Sequence, residues 1–187
     1  MSNEAAVASP RSPLGSAAAP LGYLALGLTL LAFGLLSTGA IHGTSAGEAK
    51  SLAFLLGGVA LFVTGLLEFR GGSAATGTAF AGLGALWAVW SQAGSWSANG
   101  AGLFLLLWAL LALSLTLTHW GGGLFVRGVY ALFTVALVLD AIGAFAGNGD
   151  LAKVGGWLTA VAGLLAWYTA TSALSGGAWG RVSLPVR

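Results

Sequence analysis

Six apolar runs, Leu21–Ile41, Ser51–Phe69, Gly77–Trp96, Ala101–Thr118, Leu124–Ala146 and Val154–Leu174, take up most of a 187-residue chain. Each holds 18 to 23 residues, which as helix covers about 27–35 Å, the thickness of a bilayer's hydrocarbon core. In lipid the backbone finds no water, so a crossing segment must be a helix or part of a closed barrel. Barrel strands alternate polar and apolar residues, and "LFLLLWALLALSLTLT" (residues 103–118) does not. Charged residues are 6% of the chain, against about 25% in soluble domains. The sequence predicts an all-α integral membrane protein with six transmembrane helices and no second domain.

The expected organisation is a disordered cytoplasmic tail over residues 1–19, a six-helix domain over 20–175 and a cytoplasmic C-terminal tail over 176–187. The tail has no apolar stretch of its own and so is not a signal peptide, and the first run is too long for a signal h-region and lacks a convincing cleavage site, so it reads as a retained helix. Between the runs lie short loops at 42–50, 70–76, 97–100, 119–123 and 147–153. They make neighbours in sequence pack side by side as antiparallel helices. Arg11, Arg70, Arg127, Arg181 and Arg187 fall on the side of the termini, and Lys50 and Lys153 on the other. The positive-inside rule then places both termini in the cytoplasm and makes Arg70 an anchor at a span end. With no cysteine there is neither a disulfide nor a thiolate metal site. A net charge of +2, scattered singly, gives nucleic acid nothing to bind.

Chemistry is sparse. His42 and His119 lie at different span ends, and no hydrolase, metalloprotease or phosphate-binding motif occurs. An enzyme is not expected, and no cofactor is called for. Asp140, in "LVLDAIGAF", is the one acid well inside a run. A carboxylate there is costly unless it faces protein, water or a proton. It reads either as a proton-binding or pathway group or as an aspartate that local water reaches. Glu68 and Arg70 lie two apart and so point to different sides of one helix. Thr29, Thr64, Thr78, Thr134 and Thr159 can bond back to their own helices. Glycines such as Gly57, Gly58, Gly65, Gly84, Gly156 and Gly163 suit close helix packing. The eight tryptophans mostly fall near span ends, as an aromatic belt does. These features suit a small-solute transporter or channel without naming the solute.

Several segments in order supply a family resemblance. "APLGYLALGLTL" (19–30) is similar to a signature N-P-A-P-L-G-L followed by G-x-T-T. "GGVALFVTGLLEFRGG" (57–72) resembles G-G-x-x-Q-x-x-A-G-x-x-E-F/Y-x-x-G, and "TAFAGLGALW" (78–87) resembles T-A-F-x-x-Y-G-x-F-W. "AIGAFAGNGDLAKVGGW" (141–157) and "WGRVSLP" (179–185) fit the last two spans and the tail. Taken together they resemble the acetate uptake transporter family, the succinate–acetate permeases of the SatP/YaaH type. The resemblance implies a homo-hexamer of six-helix protomers, similar to the hexameric acetate and urea channels, in the plasma membrane. It implies acetate and related short carboxylates as substrates, with proton coupling. It also implies an apolar constriction at Leu26, Leu83 and Phe133. Further path or signature positions are Pro20, Leu21, Gly22, Thr29, Glu68, Trp87, Asn148, Ala166 and Tyr168. Glu68 matches the charged position of the second-span signature, as a cap on neighbouring helix ends or as a proton or substrate site.

The chain departs from the pattern at Ala17, Ala18, Leu30, Leu61 and Leu83, where the family carries Asn, Pro, Thr, Gln and Tyr. Asp140 stands at what looks like an apolar family position. An apolar neck dewets and blocks ions, and it suits a solute with a methyl end. The lost polar groups also fit a passive channel for a neutral solute such as urea, an amide or ammonia. A membrane protein that no longer transports is a third reading.

Overall fold

The computed structural model describes residues 17–121 and 123–178. Among them every regular element is helical: α1 (Ala19–Thr38), α2 (Ala46–Leu52), a π-helical segment (Ala53–Ala60), α3 (Leu61–Arg70), α4 (Ala74–Gln92), α5 (Ala98–Thr118), α6 (Leu124–Ala146) and α7 (Gly149–Ala178). α2, the π segment and α3 run on without a break, so the helices form six membrane-length rods. Five are long and apolar enough to cross a bilayer by composition alone. The other, α4, is diluted by Gly77, Gly82, Gly84, Ser91 and Gln92 and turns a broad face into the bundle. Arg11, Arg181, Arg187, Trp179, the motif at 179–185 and most of both tails lie outside the described residues.

Capping moves several helix ends from where hydrophobicity alone puts them. α7 starts at Gly149, five residues before Val154, because the Asn148 side-chain oxygen accepts from the backbone N–H of Asp150 (3.0 Å) and Leu151 (3.4 Å). α2 starts inside the expected loop, where Ser45 and Glu48 form a capping box. α4 stops at Gln92, since Ala93 turns to extended backbone. The Ala93 carbonyl then accepts from Lys50 Nζ at 2.7 Å.

Lipid tails are as apolar as leucine, so helices associate through close packing. α1 and α7 do this in an antiparallel zipper with a seven-residue period. A Cβ on Gly27 would stand 2.7 Å from the Trp167 backbone nitrogen and 2.9 Å from the Gly163 carbonyl oxygen. One on Gly34 would meet Ala160 and Gly156 as closely. α3 and α4 repeat the device, with Gly65 against Ala81 and Gly84 against Phe62. Not every sequence neighbour pairs, however. α3–α4, α5–α6 and α6–α7 pack along their lengths, but α4 barely touches α5, and α1 closes the ring onto α7.

Candidate transport path

Three helices that run in the same direction, α1, α4 and α6, stack their interior residues in layers. Tyr23 and Phe80 meet edge to face with centroids 5.1 Å apart. The Tyr23 and Tyr130 hydroxyls approach each other without closing a hydrogen bond. One helical turn further along lie Leu26, Leu83 and Phe133, which are 0%, 0% and 2% exposed and belong to a single core cluster. Gly22 permits the first layer, because a Cβ there would collide with the Phe80 ring. Leu30, Leu86, Trp87 and Leu137 follow, all buried. Phe33 then packs against Trp87 (4.6 Å) and Trp90 (4.9 Å). Trp87 and Trp90 therefore belong to an interior aromatic cluster, whereas Trp120, Trp157 and Trp167 are exposed at the rim or the lipid-facing wall.

Beyond the leucine layer the interior opens. A chamber of about 100 Å³ has Phe133, Leu86 and Trp87 on its wall together with Asp140 and Thr159. It shares Ser37, Trp90, Leu105 and Asp140 with a wider vestibule of about 660 Å³, which reaches Gly147, Asn148 and Gly149 at the far end of the bundle. Asp140 follows Phe133 by seven residues, or about 10 Å of helix. One of its oxygens, Oδ1, lies against Gly155 with no hydrogen-bond partner, and Trp87 Nε1 also has none. Among the described residues, no other titratable group lines either space.

The opposite side of the layer holds the second acid. Glu68 is 0% exposed and accepts a 2.5 Å hydrogen bond from the Thr76 hydroxyl in the first turn of α4. It lies near enough to act electrostatically on both Tyr23 and Tyr130. The His119 ring packs on Tyr130 at 5.0 Å. Arg70, two residues from Glu68, is exposed at the end of α3. Arg127 places its guanidinium 5.0 Å from the Trp120 ring centre. Among the described residues, Arg70 and Arg127 mark this end, and Lys50 and Lys153 mark the other.

The remaining positions scatter. Pro20 sits in the first turn of α1, where its missing N–H costs nothing. Leu21 points outward at 54% exposure. Thr29 is buried and donates to the Ala25 carbonyl at 2.7 Å, and Thr64 and Thr134 bond back in the same way. Thr78 is exposed. Gly57 admits Trp87 and Thr29, since a Cβ there would lie 2.7 Å and 2.9 Å from them. Ala166 is buried in the core, and the Tyr168 ring lies 5.1 Å from Phe125, away from both chambers. Sequence reasoning did not single out the buried Tyr23 and Tyr130, each of which stands one turn before a residue of the Leu26, Leu83 and Phe133 layer.

A ring of six antiparallel rods around a layered apolar interior, opening into a chamber with a lone acid, defines a membrane transport protein rather than an enzyme. The chain belongs to the GPR1/FUN34/yaaH family, whose model matches residues 4–183. It is similar to the succinate-acetate/proton symporter SatP of Escherichia coli K12, with 29% identity over 149 residues, covering 75% of this chain and 79% of that protein. The SatP symporter of Shigella flexneri matches to the same extent. A solved structure described as the bacterial acetate channel SatP superposes with a TM-score of 0.84 at 27% identity, covering 91% of this chain and 98% of that one.

Proposed function

We propose that this chain carries acetate and related short-chain carboxylates across the plasma membrane, coupled to protons. The observation that carries the reading is the buried, uncharged layer of Leu26, Leu83 and Phe133 in a chain related to a succinate-acetate/proton symporter. A dewetted neck of this kind holds back ions and passes a small solute with an apolar end. Glu68 and Asp140 stand on either side of it, and Asp140 is the proposed proton site. Proteoliposomes are expected to take up labelled acetate faster when the outside is acidic. Uptake no greater than in empty vesicles overturns the proposal.

Both termini are assigned to the cytoplasm. The chain has no native cysteine, so Ser73→Cys and Gly94→Cys make clean topology probes. A maleimide that cannot cross membranes should label the second but not the first in intact cells. The assembly is read as a homo-hexamer from the family resemblance, which native mass spectrometry tests. The uncharged neck also supports a second reading, a passive channel for a neutral solute. Vesicle swelling in urea without pH dependence, together with no competition by acetate, would favour it.

A further inference from the structure

We infer that the cavity where α2, α4 and α5 meet, with Lys50 on its wall, binds a phospholipid. The lipid's phosphodiester sits on Lys50, and an acyl chain runs down the cleft between α4 and α5. The site is separate from the proposed path and does not depend on what the chain transports.

The cleft comes from how the rods close. A turn of five residues, 93–97, joins α4 to α5, yet the two helices part beyond it. They touch again near the middle of α4, where a Cβ on Gly82 would stand 2.9 Å from Leu111 Cδ2. Gly82 lies ten residues before the end of α4, so the cleft above that contact is about 15 Å long. Near the turn it holds a cavity of about 220 Å³. Lys50 of α2, Trp90 of α4, Trp96 of the turn, and Phe104 and Leu105 of α5 line it.

Charge decides the head of the ligand. Among the described residues Lys50 is the one charged group on that wall. Its Nζ donates to the Ala93 carbonyl at 2.7 Å, which leaves two ammonium hydrogens for an anion. Lys50 and Ala93 lie at the end of the bundle where α4 stops, the level at which basic and tryptophan side chains meet lipid head groups. A second copy of the chain has no free carboxylate to put there. Among the described residues the exposed acids are Glu48, held by the Ser45 N–H and hydroxyl at 2.7 Å, and Asp150, paired with Lys153 at 2.9 Å.

The walls decide the rest. Trp96 packs edge-on to Phe104 with centroids 4.6 Å apart, and Phe104 meets Trp108 at 5.9 Å. This aromatic ladder descends α5 from the cavity and suits an acyl chain, whereas it offers a free phosphate ion no second cation. Size agrees. An apolar cavity of about 150 Å³ accepts the six carbons of benzene. At that ratio 220 Å³ accepts about nine non-hydrogen atoms, close to a phosphate group with the three-carbon glycerol it esterifies. Trp90, Phe104 and Leu105 also line the chamber that holds Asp140. A lipid seated here therefore backs side chains that the proposed path meets from the other face.

The test is native mass spectrometry of the full-length protein in mild detergent, with phosphatidylglycerol titrated in. One lipid per protomer should stay bound at collision energies that strip the others, and diacylglycerol, which lacks the phosphate, should not. Lys50→Gln keeps a donor for the Ala93 carbonyl and removes the charge, and it should weaken binding about fivefold. Lys50→Arg should restore most of it. Ala101→Leu fills the cavity, whose wall includes Ala101, and should lose the lipid with Lys50 intact. The inference is overturned if Lys50→Gln or Ala101→Leu holds the lipid as wild type does, or if diacylglycerol is retained equally. Glycerol 3-phosphate binding as tightly as the lipid would overturn it in favour of a soluble phosphate. An Ala101→Leu protein with fewer copies per assembly and an unchanged lipid count would overturn it too, giving the cleft to a second copy.

Discussion

The Thr76 hydroxyl, in the first turn of α4, donates at 2.5 Å to the carboxylate of Glu68, which lies in the last turn of α3 and is 0% exposed. One side-chain bond thus ties the two arms of a helical hairpin at the turn that joins them. The turn adds a backbone bond from the Ser73 N–H to the Glu68 carbonyl at 2.9 Å. Thr76→Val keeps the shape and removes the donor, and it should cost about 1–3 kcal/mol. Thr76→Ser should restore most of it. Thermal unfolding in detergent, followed by tryptophan fluorescence, reads both, and a Thr76→Val protein as stable as wild type would contradict the assignment.

The α1–α7 zipper makes a sharper claim. Gly27→Ala places a methyl group against backbone, which cannot move aside as a side chain can. The expected loss is about 1–3 kcal/mol of stability. Gly128→Ala is the matched control, because the nearest atom is the flexible Leu165 Cδ1 at 3.3 Å. Equal melting temperatures for the two variants would show that backbone approach is not what joins these helices.

At the layer between the two acids, Leu83→Ala and Phe133→Ala should widen the proposed passage. Each is expected to speed acetate uptake several-fold and to admit larger acids that wild type excludes, because a wider apolar neck dewets less completely. Phe133→Trp should slow uptake. Paired measurements with acetate and a bulkier acid in proteoliposomes check the direction. Unaltered rates in all three variants would remove this layer from the path.

Asn148 gives a local test. Its side chain caps α7 and its residue borders the vestibule, so Asn148→Ala should cost about 1 kcal/mol and speed amide exchange over residues 149–153. Asn148→Asp keeps the cap and adds a negative charge at a helix N-terminus, which is favourable. That variant should be at least as stable as wild type. If Asn148→Ala exchanges no faster, the helix start is held by tertiary packing.

Much of the fold was legible because a bilayer leaves few alternatives. Runs of 18 to 23 apolar residues that do not alternate allow little besides spanning helices. Their ends were harder to read, although the signals were present. Ser45 with Glu48, and Asn148 before Gly149, are ordinary capping patterns that a hydrophobic window passes over. The closure of α1 onto α7 was out of reach, since Gly27 and Gly34 acquire meaning only opposite Gly163 and Gly156. Of the proposed path residues, Leu26, Leu83 and Phe133 do come together in one buried cluster, and Trp87 and Asp140 line one chamber. Sequence gave no means of seeing that Trp87 and Asp140 share a chamber, because they stand 53 residues apart on separate helices.

The zipper between the first and last rods also bears on how the chain is made. Among the described helices α1 is made first, and its glycine seam has to wait for α7, the last of them to leave the ribosome. Until then the groove around Gly27 and Gly34 faces lipid or a helper protein, and the ring stays open on that side. The hairpin of α3 and α4 meets no such delay, since its halves are adjacent in the chain. A chain halted before α7 therefore leaves α1 without the surface that Gly27 and Gly34 are shaped to meet.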